Sequence, residues 1–314
     1  MTARALTAGE TMALLDPLED DIAAGTTFRL RVAGAESNFA IALTRLGVKA
    51  TWVSRLGADP FGDVVGRTLA AEGLDLQHVR RDPERPTGLY FKSRSGTATR
   101  VFYYRSGSAA SALSPADVPD ELLDGVALVH LTGITAALSS SARELVLDLG
   151  RRARARGIAV LFDPNYRAAL WESPAAAAAS LDDVLPSVDW YLCGLEEGNV
   201  LFGTRSPEEL VEAIVRGGAG AAAVRVGARG ALVPDGSTLV EVAPPRLEAV
   251  RDEIGAGDGF AAGFAYGLLH GWNAPHCALA GNVVAAAALR GTGDWETYPR
   301  LDEFRALLEE QPPR

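Results

Sequence analysis

Only two lysines, two cysteines and four histidines occur among the 314 residues, and each shortage excludes a class of site. Lys49 and Lys92 do not complete a G-x-x-x-x-G-K-S/T motif, so the chain has no P-loop for nucleotide phosphates. Cys193 and Cys277 form neither a C-x-x-C pair nor a disulfide framework, which is typical of proteins from a reducing compartment. Because the histidines are scattered without an H-E-x-x-H or similar spacing, we expect no zinc site.

Positive charge and long apolar runs are also in short supply. The formal net charge is −10, which disfavours nucleic acid and anionic membranes as main partners. No stretch approaches the roughly 20 apolar residues of a membrane span, and no N-terminal stretch has the pattern of a secretory signal. With 48% hydrophobic residues the chain can bury a sizeable core. These features predict a cytoplasmic enzyme.

Short β-like runs alternate with helical runs over most of the length. The pattern predicts strands at 50–56, 126–131, 158–162, 188–192 and 222–226, and helices at 62–72 and 140–156. The run IAVLF is continuously apolar, as expected for a strand that is covered on both faces. This alternation predicts an α/β fold with a mostly parallel central sheet and helices on both sides.

Two segments interrupt that alternation. Residues 87–105 alternate around a turn at Ser95-Gly96-Thr97, which is a hairpin signal, and residues 12–32 are also β-like. We interpret both as a small lid sheet over the carboxyl ends of the main strands, where ligands bind in such folds. A hairpin packed on the edge of the body remains the alternative interpretation.

The segment Gly255-Ala256-Gly257-Asp258 precedes an apolar helix. Glycines let backbone N–H groups converge on one point, and the positive end of a helix makes such a turn an anion site. A carboxylate is electrostatically unfavourable beside bound phosphate unless it has a function of its own. Asp258 could be the general base that deprotonates a hydroxyl as this hydroxyl attacks a phosphoryl group. An N-capping aspartate with packing glycines remains equally open from this segment alone.

Two motifs carry a resemblance to a known family. GAGDGFAAGF at 255–264 and AGAESNFAIALTRLGVKATWVSRLGADPFGD at 33–63 resemble the signatures of ribokinase-like, PfkB-type sugar kinases. The resemblance implies one domain over 1–314, a three-layer α/β/α sandwich with a β-sheet lid from about 12–32 and 87–111, and an ATP-binding half at about 160–300. It also implies that Asp258 is the catalytic base and that Gly255, Ala256 and Gly257 form the anion hole.

Further segments are similar to 2-keto-3-deoxygluconate kinases, namely TAGETMALL, SGSAASALSP, LVHLTGITAALS and DPNYRAALW. A sugar acid carries a carboxylate, which guanidinium can bind in a bidentate manner, and Arg105 and Arg167 lie in suitable segments. By resemblance, the substrate pocket comprises Gly34, Tyr90, Tyr103, Arg105, Arg167, Asp258 and Asp294. A surface position for either arginine, and a capping role for Asp294, remain the alternatives.

The expected activity is ATP-dependent phosphorylation of the 6-hydroxyl of 2-dehydro-3-deoxy-D-gluconate. The alternatives are a kinase of the same fold for 2-keto-3-deoxygalactonate, fructose or a nucleoside, and a catalytically silent sugar-binding protein. A Rossmann dehydrogenase is disfavoured because no G-x-G-x-x-G follows the first strand. The resemblance also implies a homo-oligomer that pairs through the lid.

For ATP and Mg²⁺, the resemblance implies contacts from a set that spans the C-terminal half: Asn165, Arg167, Arg225, Gly227, Gly230, Gly255 and Gly257. Glu197 would hold Mg²⁺ through water, although Gly194 replaces the usual polar residue before it; a solvated helix carboxylate is the alternative. Asp252 and the Ile254 carbonyl resemble a monovalent-cation site, which would take K⁺. Ala33 replaces the first of the usual paired glycines, whereas Gly34 is retained.

Overall fold

The computed structural model describes residues 4–19, 22–95, 98–247, 249–251 and 253–311. The strands within these ranges are β1 Arg4–Ala8, β2 Met12–Pro17, β3 Phe28–Ala33, β4 Lys49–Gly57, β5 Val79–Asp82, β6 Leu89–Ser95, β7 Ala98–Tyr104, β8 Val126–Thr132, β9 Ala159–Asp163, β10 Trp190–Gly194, β11 Ala221–Arg225, β12 Ala231–Asp235 and β13 Thr238–Val242. The α-helices are α1 Ala35–Arg45, α2 Pro60–Ala71, α3 Gly133–Leu138, α4 Ser140–Ala155, α5 Pro174–Asp182, α6 Leu195–Phe202, α7 Pro207–Arg216, α8 Ala256–Leu269, α9 Ala274–Leu289 and α10 Leu301–Glu309.

Nine strands form the central sheet in the order β13-β12-β11-β10-β9-β8-β1-β4-β5. The strands from β11 to β5 are parallel, and β12 and β13 extend one edge as an antiparallel hairpin. The prediction of an α/β fold with a mostly parallel sheet is therefore confirmed.

Both faces of the central sheet are covered by helices. In β9, Leu161 belongs to the core shared with α1, α8 and α9, whereas Val160 and Phe162 belong to the core shared with α4 and α7. Successive side chains of a strand point to opposite faces, so a strand buried on both faces must be apolar throughout. This burial explains the uninterrupted apolar run that indicated the strand in the sequence.

A second sheet of four strands has the order β3-β2-β6-β7. The pairs β2–β3 and β6–β7 are antiparallel, whereas β2 and β6 run parallel to each other. We call these four strands the lid sheet. Of the predicted hairpin turn, Gly96 and Thr97 lie outside the described residues.

The carboxyl ends of the parallel strands meet at one edge of the central sheet. This edge carries the last residues of β9, β10 and β11, which are Asp163, Gly194 and Arg225. The N-termini of α1 and α8 contribute to the same cavity. Within the described residues, the structure contains no helix long and apolar enough to cross a membrane.

Candidate active site

A cavity of about 980 Å³ lies between the lid sheet and this edge. Most of the site residues predicted from the sequence line it, namely Gly34, Tyr90, Tyr103, Arg105, Asn165, Arg167, Glu197, Arg225, Gly227, Gly255, Gly257, Asp258 and Asp294. Ala256 and Gly230 are not among its lining residues, and Asp252 lies outside the described part of the chain. Residues from distant parts of the sequence thus converge on one volume large enough for a nucleotide and a small sugar.

Asp258 lies in the first turn of α8 and faces the cavity. Its Oδ2 accepts a hydrogen bond from Asn38 Nδ2 at 2.8 Å, and its Oδ1 accepts one from Asn165 Nδ2 at 3.2 Å. The side chain is partly accessible, so it is not sealed in the interior. Two amides from opposite sides therefore hold the carboxylate while leaving it open to a ligand.

The pKa of Asp258 is raised to about 7, chiefly by burial and in the same direction by the neighbouring carboxylates Asp163 and Asp294. The Asn38 amide and the positive charge of Arg167 act in the opposite direction. A carboxyl group with a pKa near neutrality is well matched to accepting a proton from a hydroxyl.

The turn before α8 depends on a glycine at position 255. Gly255 has φ +81°, and a Cβ at this position would lie 1.7 Å from the carbonyl oxygen of Asp294. Any side chain here is therefore excluded by both conformation and space. The first-turn N–H groups of a helix have no intrahelical acceptor, so those of α8 present a positive end to the cavity.

Arg225 connects three elements on the other side of the cavity. Its Nη1 lies 2.9 Å from Asp163 Oδ2 on β9, and its Nη2 lies 3.0 Å from Glu197 Oε1 on α6. Although burial opposes its charge, the two carboxylates raise the pKa of Arg225 above its ordinary value. The guanidinium is thus a fixed cation between the strand ends.

Glu197 is more constrained than its first-turn position on α6 indicates. Oε1 also accepts from the N–H of Gly194 at 2.6 Å, and Oε2 accepts from the N–H of Tyr166 at 2.9 Å. Both oxygens are engaged, so the alternative of a solvated helix carboxylate does not describe this side chain. Contact with a metal through a bridging water is easier here than direct coordination.

No group of three His, Cys, Asp or Glu side chains within the described ranges could hold a metal ion by itself. Mg²⁺ bound together with nucleotide needs only one or two carboxylates, because phosphate oxygens and water complete its shell. Asp163 and Glu197 are two such carboxylates, and both line the cavity. The residues present therefore fit Mg²⁺ that arrives with a nucleotide.

Asn165 has φ +41° and is the only non-glycine residue with positive φ among those described. Its N–H donates to Asp163 Oδ1 at 2.9 Å, which forms a local turn of the kind that asparagine and aspartate favour. This conformation directs the amide of Asn165 towards Asp258. The strained backbone conformation of Asn165 therefore places its side chain in contact with Asp258.

The two arginines expected to bind a carboxylate differ in their surroundings. Arg105 is buried and its Nε donates to Glu10 Oε2 at 2.7 Å, while Ser108 Oγ donates to the other oxygen of Glu10 at 2.5 Å. Arg167 is exposed, and its Nη1 donates to the Tyr166 carbonyl at 3.2 Å. The charge of Arg105 is largely neutralised by Glu10. Of these two arginines, Arg167 is therefore the more available to a negatively charged ligand.

Aromatic rings of the lid sheet form the roof of the cavity. Tyr90 and Tyr103 face each other with ring centroids 5.5 Å apart, and the Arg105 guanidinium carbon lies 5.8 Å from the Tyr103 centroid. Tyr104 points away and is 62% exposed. Gly34, immediately before α1, allows the segment between β1 and β2 to approach, because a Cβ there would lie 2.3 Å from the Glu10 carbonyl oxygen.

Sequence reasoning did not assign Asn38, Asp163 or Glu10. Asn38 lies one helical turn after Gly34, and Asp163 is the last residue of a buried strand. Both positions could therefore have been assigned to the site from the local sequence pattern. Glu10 had no such signal, since its importance depends on pairing with Arg105 across 95 residues. Gly230 has a structural role instead, because a Cβ there would lie 2.0 Å from the Val242 carbonyl oxygen.

Known carbohydrate kinases are similar to this chain over most of its length. The model of the pfkB family of carbohydrate kinases matches residues 3–300. The 2-dehydro-3-deoxygluconokinase of Bacillus subtilis is 34% identical over 99% of this chain and 97% of its own length. That of Thermoproteus tenax is 38% identical over 90% of this chain and 86% of its own. A 2-dehydro-3-deoxygalactonokinase of Haloferax volcanii is 32% identical over 92% of both chains.

Solved structures show the same fold. A PfkB protein from Polaromonas sp. JS666 superposes with a TM-score of 0.87 at 35% identity and covers 98% of this chain and 100% of its own. A fructokinase double mutant from Vibrio cholerae, described with bound fructose, ADP and potassium ion, gives a TM-score of 0.84 at 25% identity over 98% of both chains.

Proposed function

The chain belongs to the pfkB family of carbohydrate kinases, and on this premise we propose that it phosphorylates the 6-hydroxyl of 2-dehydro-3-deoxy-D-gluconate with ATP. The observation that carries the proposal is the position of Asp258. Its carboxylate faces the cavity at the positive end of α8, held by two amides, with the exposed guanidinium of Arg167 within electrostatic reach. A base, an anion site and a carboxylate receptor thus share one cavity.

ATP, with its Mg²⁺, supplies the phosphoryl group and leaves as ADP. Asp258 accepts the proton of the 6-hydroxyl as its oxygen bonds to phosphorus, and the N–H groups of the turn at 255–258 stabilise the charge on the phosphoryl oxygens. Positioning and electrostatics account for most of the catalysis in phosphoryl transfer. Closure of the lid sheet would exclude water, which is a competing acceptor.

The preference for a sugar acid over a neutral sugar depends on the position of Arg167. Arg167 would bind the carboxylate of the sugar acid, and Arg105, fixed by Glu10, would donate hydrogen bonds from its remaining edge. Tyr90, Tyr103 and Asp294 line the space between them and would contact the sugar. A neutral sugar would leave Arg167 without a partner.

On the nucleotide side, the surface formed by Asn165, Arg225 and Gly227 would contact ATP. Arg225 would act from its fixed position between Asp163 and Glu197, and Glu197 would contact Mg²⁺ through water. Gly227 has φ +62° and no neighbouring atom within 4 Å of a Cβ, so the turn that carries it is open to a ligand.

The test is a coupled ADP-release assay with ATP, Mg²⁺ and a panel of 2-keto-3-deoxygluconate, 2-keto-3-deoxygalactonate, fructose and a nucleoside. We expect kcat/KM for the sugar acids to exceed that for fructose by about 100-fold, the value of a charge-assisted contact pair. The relative from Haloferax volcanii makes the galactonate-derived acid the second candidate substrate. Turnover of fructose at the same efficiency, or sugar binding without any ADP release, would reject the proposal.

Activation by K⁺ is a separate part of the proposal. It is supported by the resemblance at Asp252 and Ile254 and by the potassium described for the fructokinase relative. We expect turnover to fall when KCl is replaced by tetramethylammonium chloride at equal ionic strength. Equal rates in the two salts would reject a monovalent-cation site.

We further propose that two copies pair through the outer face of the lid sheet. This face exposes Leu30, Phe102 and Tyr104 at 40%, 36% and 62%, and Phe91 stacks on both aromatic rings. Apolar surface of this kind is typical of interfaces. Sedimentation velocity should show a dimer for the wild type and a monomer for the double variant Phe102→Ser, Tyr104→Ser; a wild-type monomer would contradict the proposal.

A further inference from the structure

The loop at 294–298 connects the turn before α8 with other parts of the molecule. The Tyr298 hydroxyl donates to the Gly255 carbonyl at 2.6 Å, and the same carbonyl accepts from the N–H of Gly259 at 2.9 Å. Gly259 also permits the approach, because a Cβ there would lie 2.9 Å from the Tyr298 ring. Burial raises the pKa of Tyr298 well above its ordinary value, so the phenol keeps the proton that it donates.

Three backbone carbonyls of the loop accept hydrogen bonds from one arginine of α1. Arg45 on α1 donates through Nη1 to the carbonyls of Trp295, Glu296 and Tyr298 at 3.0, 3.2 and 2.9 Å. The indole N–H of Trp295 donates to the Val32 carbonyl on β3 at 2.8 Å. The loop that carries Tyr298 is therefore attached both to α1 and to strand β3 of the lid sheet.

The carbonyl of Gly255 belongs to the same planar peptide as the N–H of Ala256, and the two groups point in opposite directions. Fixing the carbonyl therefore fixes the direction of the N–H. That N–H makes only a long contact of 3.4 Å with the Glu253 carbonyl. The glycine at position 255 cannot restrain the peptide by side-chain packing, so the restraint must come from elsewhere.

We propose that Tyr298 is a positioning residue that holds the peptide between Gly255 and Ala256, and with it the phosphoryl-binding turn, in its working orientation. The kinetic part of this inference rests on the proposed function, whereas the structural part does not. A misdirected turn would lose stabilisation of charge in the transition state and leave ground-state binding of either substrate intact.

The test compares Tyr298→Phe with Tyr266→Phe. Both changes remove one phenolic oxygen; Tyr266 is also buried and lies on α8, but it does not line the cavity. We expect kcat of Tyr298→Phe to fall about tenfold, with KM for the sugar acid and for ATP changed by less than about twofold. Tyr266→Phe should retain wild-type kcat.

Hydrogen exchange of the backbone amides at 256–259 provides a readout that does not depend on activity. Exchange should be faster in Tyr298→Phe than in the wild type and in Tyr266→Phe. Unchanged exchange, or a parallel rise of both KM values without a fall in kcat, would overturn the inference. If the wild type phosphorylates no sugar acid, the proposed function fails, and the exchange comparison alone decides the role of Tyr298.

Discussion

Two walls face each other across the cavity, and different interactions hold them. The lid wall consists of Tyr90, Tyr103 and Arg105 on or next to two antiparallel strands, with the Arg105–Glu10 pair as its buried charge contact. The body wall consists of Asp163, Glu197 and Arg225 together with the turn at 255–258, and its charges are paired between the ends of β9 and β11 and the first turn of α6. Under the proposed function, the chemistry belongs to the body wall and substrate choice to the lid wall with Arg167.

The largest effect should come from Asp258→Asn in the body wall. We expect kcat to fall by about 10³- to 10⁴-fold, because the amide cannot accept the proton, while calorimetric titration still detects binding of ATP and of the sugar acid. The pKa of Asp258 is raised from its ordinary value of 3.8 to about 7, so ionisation of this carboxyl costs folding free energy that grows between these two pH values and is fully present above about pH 7. The variant should therefore melt at an equal or higher temperature at pH 8, which excludes misfolding as the cause.

Arg225→Met tests whether the body wall is held by its ion pairs. It leaves Asp163 and Glu197 buried without their cation, so unfolding free energy from urea titration should drop by about 3–5 kcal/mol. Arg55→Met is a matched control, since Arg55 and Asp117 are exposed at 20% and 2%, nearly as Arg225 and Asp163 are at 20% and 3%. Arg80 remains within 3.3 Å of Asp117, so this control should lose less.

Of the variants Arg225→Met and Arg55→Met, only Arg225→Met should also raise KM for ATP. The comparison between the walls would be wrong if Arg55→Met impaired ATP binding equally, because Arg55 does not line the cavity.

Arg167→Met tests whether substrate choice depends on the positive charge of Arg167. We expect KM for the sugar acid to rise by about 10- to 100-fold, and turnover of any neutral sugar to change by less than about threefold. Arg229→Met serves as the control, because Arg229 is an exposed arginine that pairs with Glu241 outside the cavity lining. An equal loss for acid and neutral substrates would remove Arg167 from carboxylate recognition.

The smallest expected effect concerns the amide that contacts the base. In the wild type kcat/KM should rise with pH through about 7 as Asp258 loses its proton. Asn38→Ala removes a donor that stabilises the carboxylate, so the pKa of Asp258 should move upward. The rate at pH 6 should then fall about three- to tenfold more than the rate at pH 9. Parallel profiles for the two proteins would show that Asn38 does not influence the base.

Local signals in the sequence predicted most of the fold. Strand β9 at 159–163 and helix α4 at 140–155 lie within one residue of their predicted ranges of 158–162 and 140–156. Helix α2 begins two residues earlier than predicted, because Asp59 accepts from the N–H of Gly62 at 2.7 Å and Pro60 occupies the first helical position.

The site was less predictable where it depends on contacts between distant residues. Gly255 and Asp258 could be identified because the turn and the helix start carry their function locally. The partner of a carboxylate cannot be read in this way: Asn38 reaches Asp258 across 220 residues, and Arg225 reaches Asp163 across 62. For the same reason, the pairing of Arg105 with Glu10, which distinguishes Arg105 from Arg167, was not predicted from the sequence.

The most direct measurement is a crystal structure of the complex with 2-keto-3-deoxygluconate and a non-hydrolysable ATP analogue. The account predicts the 6-hydroxyl within about 2.6–3.2 Å of an Asp258 carboxylate oxygen and the sugar carboxylate against the Arg167 guanidinium. A sugar acid bound in the reverse direction, with its carboxylate at the turn of 255–258 and its 6-hydroxyl under the lid sheet, would contradict it.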